Sequence, residues 1–438
     1  MVTLFSYAMI IVFMFLIIRK KLTPFSALVL VPLLFAIIGV LVGIFPTNIG
    51  EMALQGIQDT STTGIMLLFA ILYFSVMLNA GMFDPLTNFV IKTSKGDPVK
   101  ILVGTAIVAA GVSLNGDGTT TTLITCTAFL PIYRKLNLKI MNFGVIVILM
   151  NTIMNLLPWG GPTARAISVL DLNEQEVLRA LVPSMIAAII YMLFVAYYMG
   201  KKERKRLGIQ KMTTAELAEL SATTDPEADA LKRPQYIWIN WIMTIALIAM
   251  LVLGTLPSVV LFLVGTALAL IINYHSLKEQ KQRIQDNAGD AVQVVILVLG
   301  AGIFMGLFTG TGMADALAVS LTNIIPKSWG SFWGFIVAIL SAPGTFFLSN
   351  DAFYFGVLPV LAEAGAQYGF TAAELGVASL LGQAFHLLSP LVAFIYLLLN
   401  LTGLDMGEWQ KESGKWAVGI FAIFIAMAAI TGAVPLFK

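Results

Sequence analysis

Asp117 and Asp351 each sit inside a long apolar stretch, at 99–136 and 329–366. If those stretches lie in a bilayer, an ionised aspartate costs at least ~2.5–3.5 kcal/mol on insertion scales. Three things can offset that cost: a bound cation, a proton held at raised pKa, or nearby donors. Capping of the helix that follows is the structural alternative, because Asp is a good N-cap.

The neighbours of both aspartates are short and polar. Ser113, Asn115, Gly116 and Asp117 run into Gly118 and four threonines, of which Thr119 and Thr120 open the returning segment. Free N–H groups at a helix start, with hydroxyls beside them, suit a carboxylate. A second such point is Asn155-Leu-Leu-Pro-Trp-Gly-Gly-Pro-Thr163, where Gly160, Gly161 and two prolines cannot sustain a helix. Ser349 and Asn350 precede Asp351, and Ser389 lies in a further break at His386-Leu-Leu-Ser-Pro390. Together these residues make an oxygen-rich and N–H-rich pocket. Arg165, two residues past the first break, either forks onto a carboxylate or snorkels outward toward Asp171 and Glu174. His386 either ligates, shuttles protons or satisfies a backbone carbonyl, whereas His275 reads as interfacial. Trp159 either walls the pocket or packs as an ordinary aromatic.

The elements that must hold these residues are membrane helices. Of 438 residues, 58% are hydrophobic and 11% charged, against about 25% charged in a soluble domain. Apolar runs of spanning length fall near 2–18, 24–45, 62–82, 142–170, 178–199, 236–254, 257–274, 290–309, 374–402 and 415–436. The fold class is therefore an all-α polytopic membrane protein of about ten transmembrane helices. The stretches 142–170 and 374–402 are interrupted, and 99–136 and 329–366 read as re-entrant hairpins. With the N-terminus outside, every one of the 26 Lys and Arg except Arg165, Arg179, Lys327 and Lys438 falls on the inner side. Both termini are then extracytoplasmic in a multi-pass cell-membrane protein. The first apolar run has no basic residue before it and is expected to remain as the first span.

Residues 1–200 and 235–438 hold the same order of spans, hairpin and broken helix, joined by a cytoplasmic linker at 201–234 that carries Glu216, Glu219 and Asp225. Five crossings are an odd number, so the second half enters in the opposite sense and the pair forms an inverted repeat. Gly302-xxx-Gly306-xxx-Gly310 and Gly39-xxx-Gly43 fit close helix packing. The near-neutral charge excludes a nucleic-acid partner, the single Cys126 excludes an internal disulfide, and no HExxH, GxSxG or Walker-type motif is present. The sequence does not read as an enzyme.

The strings Gly64-Ile-Met-Leu-Leu-Phe-Ala-Ile-Leu-Tyr-Phe74, Asn115-Gly-Asp-Gly-Thr-Thr-Thr121, Pro158-Trp-Gly-Gly-Pro-Thr-Ala-Arg165, Ser349-Asn-Asp351 and His386-Leu-Leu-Ser-Pro-Leu391 resemble the citrate–metal:proton symporters, the CitMHS family of the ion transporter superfamily. That resemblance implies proton-coupled uptake of citrate complexed with a divalent metal of the Mg or Ca type, with no permanent cofactor. It also implies a homodimer with a scaffold and an elevator-type transport domain. On this reading Asp117 or Asp351 faces the metal or carries the proton, while threonines, asparagines and Arg165 hold carboxylates. An arsenite or sodium/proton transporter of the same superfamily, or a membrane ligand sensor that does not transport, are the other readings.

Overall fold

The computed structural model describes residues 1–209, 216, 226–324, 327–435 and 437–438. Glu219 and Asp225 of the expected linker lie outside the described residues. Every regular element described is helical. The first half runs α1 (Val2–Ile18), α2 (Pro24–Leu41), α3 (Ile49–Asn79), α4 (Asp84–Ser94), α5 (Pro98–Val112), α6 (Gly118–Lys135), α7 (Ile140–Met154), α8 (Gly161–Leu170) and α9 (Glu174–Leu207). The second runs α10 (Ile237–Leu253), α11 (Ser258–Asn273), α12 (Leu277–Gly310), α13 (Met313–Ile324), α14 (Trp333–Phe347), a π-helical turn Ala352–Val357 leading into α15 (Leu358–Ala366), α16 (Ala372–Leu381), α17 (Ala393–Thr402) and α18 (Met406–Thr431). The order is the same in both: two helices, one long helix, one short helix, a hairpin, a broken helix and a closing helix.

Local chemistry sets these boundaries. Asp97, with Pro98 after it, accepts from the Val99 N–H at 3.0 Å and starts the first hairpin. Asn173 caps α9, Asp405 caps α18, and Thr371 with Glu374 forms a capping box on α16. Seven helices among the described residues are long and apolar enough to cross a membrane, while α1 and α11 have 17 and 16 residues. The short helices α4 and α13 have no counterpart among the spans read from sequence, since neither is apolar along its length.

The helices pack in two groups, and each group draws on both halves. In one, α3 lies along α12 and α11, α2 along α12, and α1 along α2 and α13. In the other, the hairpins and broken helices gather with α9 and α18. Glycines make the α3–α12 crossing close: a Cβ on Gly56 would fall 1.9 Å from the Gly302 carbonyl oxygen, and one on Gly306 2.3 Å from that of Met52. The Gly39-Gly43 pair does not serve this purpose, because α2 has already ended when the chain reaches Gly43 at φ +74°, with open space where a side chain would be. Gly39 instead seats the Phe45 ring of its own turn.

At the far end of α9, Arg204 binds Asp97 through two hydrogen bonds of 3.0 and 2.6 Å. Glu203 accepts from the Lys139 N–H at 3.2 Å. One helix end thus holds the starts of both α5 and α7.

Candidate functional site

The two hairpin tips and the two helix breaks form a closed circuit of contacts. Tip 1 meets break 1: the Trp159 indole N–H donates to the Leu114 carbonyl at 2.7 Å, and Gly116, at φ +77°, faces the Trp159 carbonyl. Any Cβ at Gly116 would be both strained and crowded. Break 1 leads into α8, where Arg165 Nε donates to Asp351 Oδ1 of tip 2 at 2.7 Å. Tip 2 meets break 2: Gln383 Nε2 donates to Asn350 Oδ1 at 3.0 Å and to the Tyr354 hydroxyl at 2.9 Å. Past break 2, the Phe394 ring covers Gly118, closing the circuit at tip 1. Each tip therefore touches the break of its own half and the helix that follows the break of the other.

Asp117 and Asp351 differ sharply. Asp117 caps α6, accepting from Thr119 N at 3.1 Å, Thr120 N at 2.7 Å and the Thr120 hydroxyl, while its own N–H donates to Asn115 Oδ1 at 2.9 Å. Its carboxylate is spent on its own helix. Asp351 makes no cap; the Ser349 hydroxyl accepts from Ala352 N in its place, at 3.2 Å. Arg165 does not snorkel toward Asp171: Nη1 donates back to the Gly161 carbonyl at 2.7 Å and holds the guanidinium beside Asp351. The two side chains keep 19% and 18% of their area exposed, so a ligand can still reach a largely desolvated pair.

Asn115, Gly116, Gly118, Thr120, Asn155, Gly161, Ser349 and Asn350 are half-buried along the circuit and Thr119 is exposed. Ser113, Gly160, Thr163 and Ser389 are buried. Thr163 Oγ1 donates across the break to the Leu156 carbonyl, Ser389 Oγ accepts from Leu391 N, and Ser113 links Asn151 to Thr121. Thr163 and Ser389 hold the breaks in shape, and Ser113 ties tip 1 to the end of α7 and the start of α6. His386 is buried with Nδ1 2.7 Å from the Thr345 carbonyl. A carbonyl only accepts, so Nδ1 carries the proton and Nε2 is the basic nitrogen of the neutral ring. Trp159 packs, stacked on Phe74 at 5.2 Å and edge-on to Phe262 at 5.2 Å, which seats break 1 against the α3–α11 group.

The sequence reading missed Gln383 and Tyr354, which hold tip 2 to break 2, and the buried hydroxyls of Thr122 and Thr152, which have no hydrogen-bond partner among the described residues. A glutamine inside an apolar run was the available signal, since amides there seek partners.

Beside the circuit a cavity of about 580 Å³ opens between α3, α12, the end of α8 and α15. Glu51, Asp59, Asp171 and Glu363 line it, with no Lys, Arg or His among the described residues. In the α8–α9 turn, burial and then the Asp59 carboxylate push Asp171 above the ordinary carboxylate range. An acid whose pKa is raised by folding makes the folded state bind more protons, so its contribution falls as pH rises through that window. Asp171 also stands at φ +48°, which Asn tolerates. Asp171→Asn is expected to raise the thermal midpoint of the detergent-solubilised protein at pH 7 and to gain less at pH 4, read by fluorescence melting.

The family model for CitMHS, the citrate transporters, matches residues 8–382. The chain belongs to the citrate transporter family. It is 48% identical to a "Citrate transporter" of Bacillus subtilis (strain 168), over 99% of each chain. It is 40% identical, over the whole of both chains, to the "Mg(2+)/citrate complex secondary transporter" of the same organism. Among solved structures, the Alcanivorax borkumensis YdaH transporter aligns at TM-score 0.56 and 13% identity, covering 88% of this chain and 89% of that one. Neisseria gonorrhoeae MtrF aligns at 0.57 and 13%, covering 87% and 83%. These two share the fold of this member of the citrate transporter family, a multi-pass membrane transport protein rather than an enzyme.

Proposed function

We propose that this member of the family carries citrate as a complex with a divalent metal ion of the Mg or Ca type, by proton-coupled symport into the cell. The observation that supports this most is the Arg165–Asp351 pair, because it sets a carboxylate fork and a cation ligand side by side at the meeting of both halves. Hard cations prefer oxygen, and citrate supplies several donors, so Asp351 need add only one. The halves are inverted repeats in the membrane with both termini outside. The hairpins and broken helices move as an elevator against the α3–α12 group, within a homodimer.

Reconstituted protein is expected to take up labelled citrate only with divalent metal, and faster with an inward proton gradient. Uptake indifferent to metal and to pH would sink the reading. In the same assay Asp117→Asn, which keeps an accepting oxygen for the cap, is expected to retain uptake within about tenfold, since Asn and Asp rank alike as caps. If Asn at position 117 abolishes uptake, the charge of Asp117 moves to the centre of the mechanism.

A further inference from the structure

Resting on the metal–citrate reading, we infer that the Arg165–Asp351 pair acts as a two-charge filter: it opens only to a ligand that carries an anionic and a cationic face together, and rejects both free citrate and the free cation. The geometry carries this. Arg165 commits Nε to Asp351 Oδ1 and one Nη1 proton to Gly161, leaving the rest of its fork without a partner among the described residues. Asp351 Oδ2 is likewise without a hydrogen bond among them. Each partner has an unused side that can receive a ligand group while the other stays 2.7 Å away.

Free citrate reaching Arg165 sets several negative charges against Asp351 with nothing to neutralise them. A bare cation on Asp351 stands against the Arg165 guanidinium. In a pair this far desolvated, either juxtaposition is strongly unfavourable. A metal–citrate complex alone meets both demands, metal toward Oδ2 and a free carboxylate toward the fork. The filter is thus an element of repulsion built into the site, which is how specificity against a close competitor is gained. The cavity that shares α8 with Arg165 acts in the same sense, since Glu51, Asp59, Asp171 and Glu363 disfavour an uncompensated polyanion.

The test is equilibrium binding of labelled citrate to the purified full-length protein in nanodiscs, in excess Mg²⁺ and in EDTA, with wild type and Asp351→Asn. Wild type is expected to bind in Mg²⁺ and at least about tenfold more weakly in EDTA, a penalty of the size that like-charge juxtaposition brings. In Asp351→Asn the EDTA affinity is expected to rise at least about tenfold and the Mg²⁺ preference to vanish. A variant that keeps the wild-type preference overturns the filter while leaving the metal–citrate reading intact. Wild type that binds equally in both conditions overturns that reading itself. Should Asp351→Asn not fold, Asp351→Ser, which also removes the charge and keeps Arg165, carries the same comparison, and a retained Mg²⁺ preference there again overturns the filter.

Discussion

Arg165→Gln is expected to cut citrate uptake by roughly 30-fold to several thousand-fold, the range for truncating one partner of a desolvated, hydrogen-bonded charge pair. Two losses combine. The substrate loses its only arginine in the circuit, and Asp351 is left charged without its 2.7 Å partner. Gln also removes the Nη1 bond that ties the side chain to Gly161 and thereby shapes the start of α8. Arg165→Lys separates these effects, since it keeps the charge and discards the planar fork. Partial uptake with Lys and none with Gln would assign the main role to charge, and equal loss would assign it to bidentate geometry. Uptake at wild-type level in Arg165→Gln, in protein present at normal amounts in the membrane, would remove Arg165 from the mechanism.

Gly302→Leu is expected to leave almost no folded protein. A Cβ there falls 2.3 Å from Thr60 Oγ1 and 2.4 Å from the Gly56 carbonyl, and the second of these is backbone that cannot step aside. Overpacking a core costs about 1–3 kcal/mol where side chains can adjust, and here the helix axes themselves must part. Gly289→Leu, on the same helix but with nothing within 4 Å, is the control and should behave as wild type. Size-exclusion of fluorescently tagged protein in mild detergent reads both. A monodisperse Gly302→Leu peak at wild-type height would mean that the α3–α12 crossing is not what holds that group together.

Much of this architecture is legible in the chain. A polar glycine-bearing interruption in an apolar run has few uses inside a bilayer, so the two tips and the two breaks could be placed from residues alone. The Gly302-Gly306-Gly310 series also read correctly, because a small-residue stripe is a property of one helix face. The Gly39-Gly43 pair misled, because the spacing carries no record of α2 ending at Leu41. Partners were harder still. That Arg165 faces Asp351, Phe394 faces Gly118 and Gln383 holds Asn350 depends on how distant segments fold together, which no local pattern encodes. The two aspartates looked equivalent in sequence. Their difference rests on Thr120, whose N–H and hydroxyl engage Asp117, while Ser349 relieves Asp351 of the same duty.

Because each packing group takes helices from both halves, the order of synthesis matters. Arg165 is made 186 residues before the aspartate it pairs with. At about 5–20 residues per second, roughly 10–40 s pass in which the guanidinium and the first tip lack their counterparts from the second half. During that interval the first half must stand on contacts of its own, such as the clasp of Arg204 on Asp97 and the seat of Trp159 on Phe74. A chain cut in the linker would give two fragments, neither holding a complete site, and transport would return only when both are made in the same membrane.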